Sequence, residues 1–401
     1  MIRNDFPILN KRINGRPLVY FDNAASLQKP GSVIAAVADF YKNSYANVHR
    51  AFYSLSEEAT DLYEESRRVV AEFIGASPAE VVYTRGATEA INLVARSWGM
   101  KNLRAGDRVV LSRAEHHANI VPWLQLKSER GIILEYIDLH PDGSLNFKSA
   151  AMKLELPRVK LLSVTHVSNV LGLVNPVSRL VKVAAERGVL TLVDASQSVV
   201  HLPLDVQKIA CDFLVFSGHK LGGPTGIGVL YGRQEILGKM PPFMGGGDMI
   251  ETVGFESFTA APSPRKFEAG TPPISSAIGL AAGVRYLEEI GWKKIRNIED
   301  RLTDRFMENL KSRPYLNLLG KGRKKIPVFS LLIDKVHPHD AADWLDRSGI
   351  AVRAGFHCAE PLHRYFGVAG TLRASLSFYN SLTEVDYFFK KIDALYKALS
   401  R

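Results

Sequence analysis

Lys220 sits in a polar segment, 217–228, between two apolar runs of strand-forming residues, 213–216 and 229–231. An amine at the mouth of buried strands is partly desolvated, which lowers its pKa and frees a neutral nitrogen to attack a carbonyl, as in Schiff-base chemistry. The plain alternative is a lysine in an exposed loop. Gly222, Gly223, Pro224 and Gly226 just after it signal close backbone approach to something, without saying to what. About one strand-sized unit upstream, the apolar run 189–193 delivers Asp194. A carboxylate there suits keeping a pyridine nitrogen protonated, the electronic requirement of pyridoxal phosphate as an electron sink. It equally suits a helix N-cap.

Three further clusters carry chemistry. Gly86-Ala87-Thr88-Glu89 opens a helical pattern and offers backbone N–H groups and a hydroxyl to a phosphate, or forms only a capping box. Ser217 and His219, flanking the lysine, add donors for the same anion. Arg373 lies in a short strand, where its planar fork suits a substrate carboxylate or a salt bridge. Cys358 lies in a loop with Arg353 and His357, two basic neighbours expected to lower a thiol pKa and make a nucleophile. Cys211, at the start of an apolar run, reads as an inert buried thiol. Glu115-His116-His117 and His337-Pro338-His339-Asp340 lack the spacing of a zinc site, so no metal is expected, and the second reads as a helix start.

The elements that must position these groups alternate. Strands are expected at 18–21, 80–83, 108–111, 132–137, 160–164 and 189–193, with helices from 31 and over 57–74, 90–97 and 177–186. On the first helix, Val33, Ile34, Val37 and Phe40 share a face at helical spacing. This alternation predicts an α/β domain with a mostly parallel sheet and a ligand at the carboxyl ends of its strands. Beyond about residue 254 the texture changes. A Pro/Ser/Gly-rich loop leads to helices over 274–290 and 292–312, strands near 327–333 and 351–353, and helices over 339–348 and 384–399, a smaller α+β unit.

A chain of 401 residues, 46% hydrophobic and 23% charged, is long enough for two domains and reads as globular. No apolar run approaches the length of a membrane span, and the first residues have neither a signal core nor a transit composition, so a cytoplasmic enzyme is expected. Two cysteines form no disulfide framework. The net charge of +10 is dispersed except at 321–325, a run without aromatics that reads as a solvated loop and not as a nucleic-acid site.

Together the parts resemble a family. Phe21-Asp22-Asn23-Ala24-Ala25, Asn47-Val48-His49-Arg50, 84–95, 115–123, 166–172, 211–231, Phe267-Glu268-Ala269-Gly270-Thr271-Pro272, 353–361 and Arg373-Ala374-Ser375 resemble the group II (Suf-type) cysteine desulfurases and selenocysteine lyases, pyridoxal-phosphate enzymes of the class V aminotransferase fold. The resemblance implies fold type I: a large cofactor-binding domain over 17–286 with a mostly parallel central sheet, and a small α+β domain from 1–16 and 287–401. It implies pyridoxal 5'-phosphate as the cofactor, with Lys220 as the Schiff-base lysine, Asp194 on the pyridine nitrogen, Gln197 on the phenolic oxygen and His116 stacked on the ring. Thr88, Ala87, Ser217 and His219 are expected at the phosphate, and Thr271 at the partner subunit's phosphate in a homodimer. Asn169, Arg373, Arg353 and Asn23 are expected at the substrate, and Cys358 as the persulfide-forming nucleophile. The implied reaction converts L-cysteine to L-alanine and hands sulfur to an acceptor protein, with iron–sulfur cluster assembly as its destination. L-Selenocysteine or another carbon–sulfur substrate is the enzymatic alternative, and a non-catalytic scaffold for an acceptor protein the other. Tyr53 and Phe356 stand where many members carry histidine, and Pro273 where asparagine is usual.

Overall fold

The computed structural model describes residues 2–49 and 51–399, so Arg50 of the Asn47-Val48-His49-Arg50 stretch lies outside the described residues. Its centre is a seven-stranded sheet in the order Val81–Thr84, Gly228–Gly232, Phe213–Ser217, Leu190–Asp194, Val159–Thr165, Arg108–Ser112, Ile133–Ile137. Only Gly228–Gly232 runs antiparallel to its neighbours. The mostly parallel α/β architecture expected from the alternation is the one observed.

Strand periodicity explains why the core lies on both faces. Val81, Tyr83, Val110, Leu162, Val164, Val193, Leu214 and Phe216 point to one side, where helices Ser54–Ile74, Val177–Ala185 and Ile274–Ile290 cover them. Val82, Val109, Leu111, Leu161, Leu192, Phe213 and Val215 point to the other, beneath helices Ala87–Leu93 and Val121–Arg130. Strands buried on both faces read as continuous apolar runs, which is why sequence located them within a residue or two.

The C-terminal part builds a second, antiparallel sheet in the order Leu316–Leu319, Val328–Ile333, Thr371–Ser375, Arg353–Gly355. Its core includes Phe306 stacked on Phe329 with ring centroids 3.8 Å apart. The N-terminal strand, shorter than expected at Val19–Tyr20, pairs in parallel with Ile350–Ala351, and Val19 and Phe21 sit in this second core. The chain therefore crosses between the two sheets at Asp22–Ala25, where the cleft described below opens.

Two expectations are corrected. Helix Gly31–Asp39 buries Val33, but Ile34 is 51% exposed, because the core-facing stripe on this short helix is narrower than the sequence suggested. The run 321–325 is not wholly solvated: the Lys325 ammonium is enclosed and donates to the carbonyls of Leu171 and Gly320. Burial lowers its pKa to about 7. Among the described residues, no helix is long and apolar enough to cross a membrane.

Candidate active site

Lys220 is carried by the turn that ends strand Phe213–Ser217. Gly218 starts a one-turn helix, Gly218–Leu221, and a Cβ there would lie 2.8 Å from Ile227 Cγ2 and 3.1 Å from the Ile227 carbonyl. Only glycine lets the turn close against the next strand. Gly222, at φ 102°, terminates it in the left-handed region. The lysine amine is thereby enclosed, and burial lowers its pKa; Asp194 opposes that shift and Arg373 adds to it. The expectation of a desolvated amine holds, and the exposed-loop alternative does not.

The amine opens into a cleft of about 220 Å³ at the carboxyl ends of the strands. Asp194, His116, Ala87, Thr88, Ser217 and His219 line it together with Lys220. Asn169, Arg353, Arg373 and Cys358 complete the wall toward the second sheet. Three expected residues stand behind or away from it. The Gln197 amide donates to the carbonyl of Ala24 (2.8 Å), itself a wall residue. Asn23 donates to Ser375 O (2.8 Å) and accepts from the Tyr379 hydroxyl. Thr271 borders two other pockets, one of them with Gly270 and Pro272.

At one end, Gly228 packs so close to Gly86 that a Cβ on it would lie 2.4 Å from Gly86 Cα. This pins the start of helix Ala87–Leu93 beside Ser217, whose hydroxyl oxygen accepts the Ala87 N–H at 2.9 Å. The Ser217 hydroxyl hydrogen is then available to an anion, along with Thr88. Burial, with help from Lys220, lowers the His219 pKa to about 4, leaving a neutral ring. Opposite, Asp194 is 4% exposed and accepts the Ser196 N–H at 2.9 Å. His116 Nδ1 accepts the Ala118 N–H at 3.0 Å, so its neutral ring carries hydrogen on Nε2. Burial first, and Lys220 second, lower its pKa to about 4.

Sequence reasoning did not anticipate what holds His116. Glu115 is fully buried between two strands, accepting from the Ser112 hydroxyl, from Asn119 Nδ2 (2.7 Å) and from Thr165 N (2.9 Å). Burial raises its carboxyl to about 7 despite those bonds. The donor set fits pyridoxal phosphate: an enclosed amine for its aldehyde, a buried carboxylate for its ring nitrogen, and hydroxyl and backbone donors for its phosphate. Among the described residues, no group of three or more His, Cys, Asp or Glu is arranged to hold a metal ion.

Toward the second sheet, Arg373 is 2% exposed. Its two terminal nitrogens donate to Asn169 O (3.1 Å) and Asp22 Oδ1 (3.0 Å), while Nε has no partner among the described residues. Arg353 shares the Asp22 carboxylate at 3.0 Å. Cys358 is exposed, on a loop where His357 (φ 50°) and Cys358 (φ 56°) are both left-handed, a costly pair for non-glycine residues. Their carbonyls are strapped down: Asn169 Nδ2 donates to His357 O, and His117 N to Cys358 O, each at 2.7 Å. His117 Nε2 in turn accepts Glu360 N at 3.0 Å. One expectation fails here. His357 is no cationic neighbour for the thiol, because burial and then Arg373 push its pKa down to about 2. Cys211 is buried with its thiol raised to about 12, as an inert core cysteine should be, and His337 caps helix Pro338–Asp346 as expected.

Comparison with known proteins agrees with this geometry. The family described as aminotransferase class-V matches residues 19–388. A probable cysteine desulfurase from Synechocystis sp. is 48% identical over 403 residues, covering 100% of this chain and 96% of that protein. The apo structure of a cysteine desulfurase from Thermococcus onnurineus superposes with a TM-score of 0.94 at 41% identity, covering 99% of this chain and 98% of that one. The cysteine desulfurase CsdA from Escherichia coli does so with a TM-score of 0.88 at 37% identity, covering 98% and 96%. With a match over nearly its whole length and a cleft of matching chemistry, this chain belongs to the aminotransferase class-V family.

Proposed function

We propose that this chain is a pyridoxal-phosphate-dependent cysteine desulfurase that converts L-cysteine to L-alanine and carries the sulfur as a persulfide on Cys358. The observation that carries the reading is the presence, in one cleft, of an enclosed lysine amine and an exposed thiol on a strapped loop. The high identity to proteins named cysteine desulfurase supports the same activity.

When bound, the cofactor supplies an electron sink conjugated with the substrate α-carbon. The residues do the rest. Lys220 would hold the cofactor, and its neutral amine would take the substrate α-proton. Asp194 would keep the ring nitrogen protonated and His116 would cover the ring face, while Gln197 would serve the phenolic oxygen after giving up its bond to Ala24 O. Ala87, Thr88, Ser217 and His219 would hold the phosphate, and Thr271 would reach the phosphate of the partner subunit in a homodimer. Arg373 would present Nε to the substrate carboxylate, with Asn169 and Arg353 shaping the same end and Asn23 acting from behind the wall through its bond to Ser375 O. The Cys358 thiolate attacks the substrate sulfur.

The same reading assigns two domains, 17–286 and 1–16 with 287–401. It also assigns a cytoplasmic location and a sulfur-acceptor protein, with iron–sulfur cluster assembly as the destination. The exposed Cys358 supports transfer to another protein, since a buried persulfide would be out of reach. Replacing Cys358 by alanine and measuring alanine and sulfide from cysteine tests the assignment. Loss of both is expected, and undiminished desulfuration would remove Cys358 from the reaction.

A further inference from the structure

Two cationic side chains of the cleft stand directly opposite each other. Strands Arg353–Gly355 and Thr371–Ser375 pair so that Arg353 faces Arg373 across the ladder, and both side chains line the cleft. Like charges directly opposite on adjacent strands repel. A single carboxylate bridges them. Asp22 follows the buried Phe21, and its backbone is held beside Ser375 by a hydrogen bond on either side: Ser375 N donates to Phe21 O at 2.7 Å, and Asn23 N to Ser375 O at 3.3 Å. From that fixed point Asp22 Oδ1 accepts from Arg373 Nη2 at 3.0 Å, and Oδ2 accepts from Arg353 Nη2 at 3.0 Å and Nε at 3.1 Å. Among the described residues, Asp22 is the only side-chain partner of Arg353, whereas Arg373 has a second tether at Asn169 O and keeps Nε without an acceptor. Burial works against the Arg373 charge, and Asp22 is the first group that opposes it. Two positive charges against one negative leave one positive charge uncompensated, the complement of a single carboxylate.

We propose that Asp22 is a positioning residue for the substrate carboxylate: it clamps Arg353 and Arg373 side by side at the cleft, in the arrangement that leaves Arg373 Nε and one net positive charge for a single carboxylate. The inference rests on the desulfurase reading and adds the group on which both arginines depend. Asp22 acts through the arginines and touches no reacting atom. Without it, repulsion turns the half-exposed Arg353 toward solvent, where its charge is screened and its side chain regains rotamer freedom. Arg373 then keeps one tether, so the direction of its planar fork is no longer fixed. Both losses weaken a contact that only the carboxylate makes, and the amine and sulfur ends of the substrate are untouched. The clamp joins residues 22, 353 and 373, so the carboxylate end of the cleft exists only once the first strand has docked on the second sheet.

The test titrates the holoenzyme with L-alanine and with ethylamine, which differ only in the carboxylate, and follows the visible absorption of the cofactor. Asp22→Asn should raise the dissociation constant for L-alanine about tenfold, the scale of one hydrogen bond to a charged group, and leave that for ethylamine unchanged. KM for L-cysteine should rise by the same factor while kcat holds, a split that general loosening of the fold would not produce. An unchanged or tighter L-alanine constant overturns the proposal, as does an equal rise for both ligands or a loss confined to kcat. If Asp22→Asn does not fold, Asp22→Glu is read in the same way. Its charge lies one methylene further out, so a smaller rise confined to L-alanine supports the clamp, and constants equal to those of the wild type overturn it. An active wild type whose variants leave the L-alanine constant unchanged removes this inference alone. A wild type that yields no alanine from cysteine removes the desulfurase reading and this inference with it.

Discussion

The Lys220 turn and the Cys358 loop face each other across one cleft and are held by opposite means. Around Lys220 the backbone is fixed by close packing. Gly218 against Ile227 and Gly228 against Gly86 leave no room for a Cβ, and strands buried on both faces stand behind them. Around Cys358 the backbone adopts two consecutive left-handed residues that packing alone does not enforce, held by hydrogen bonds from Asn169 and His117. The cofactor arm is therefore part of the core, while the sulfur arm is a strained loop tethered to it. A group that must hold one geometry throughout turnover gains from the first arrangement, and one that must meet an outside acceptor gains from the second.

Breaking each arm separately sharpens this contrast. The largest effect is expected from Lys220→Ala, which should abolish alanine production and the visible absorption of bound cofactor. It should leave hydrogen exchange at Ala359 N, in the Cys358 loop, unchanged in the apo protein; quicker exchange there would mean that the arms are not independent. Next comes Gly228→Ala, where the added methyl meets backbone and cannot be accommodated by a side-chain shift. A loss of about 3 kcal/mol in unfolding free energy is expected from such overpacking, measurable by urea denaturation.

Asn169→Ala releases one strap of the thiol loop. It should lower kcat/KM about tenfold, the scale of one hydrogen bond to a strained segment, with little change in stability. Hydrogen exchange should quicken at Ala359 N, which donates within that loop, and stay slow in strand Phe213–Ser217. Equal quickening in both would erase the distinction between the arms. The smallest effect concerns pH. His116, His166 and His219 are each pushed by burial from an ordinary 6.5 to about 4. The unfolded state thus binds their protons first, so their stabilising contribution is full above about pH 6.5 and is lost as pH falls toward 4. The thermal midpoint of the apo protein should decline over that window. Because His166 contributes through burial alone, His166→Gln should make the decline shallower.

Much of the fold was legible because doubly buried strands are apolar without interruption, and their bounds came out within a residue or two. Ile34 misled, since a helical stripe shows which residues share a face but not how much of that face a neighbour covers. Lys325 misled because a long side chain in a charged run can turn inward to carbonyls remote in sequence, here that of Leu171. Glu115 was passed over as part of an unpromising metal motif. Its signal was a carboxylate beside His116, yet its partner Thr165 lies on another strand, and no local pattern reports that.

The sequence by itself determined the chemistry. Lys220 between apolar strands, Asp194 at the end of one strand, a glycine-led helix start at Ala87 and a thiol at Cys358 are local facts, set by residue type and short-range periodicity. Tertiary structure alone decided the charge states and proton positions, because these depend on burial and on partners distant in the chain. It made His357 neutral where sequence suggested a cation, gave Asp22 two arginines to share, and joined Asn169 to the loop bearing the nucleophile.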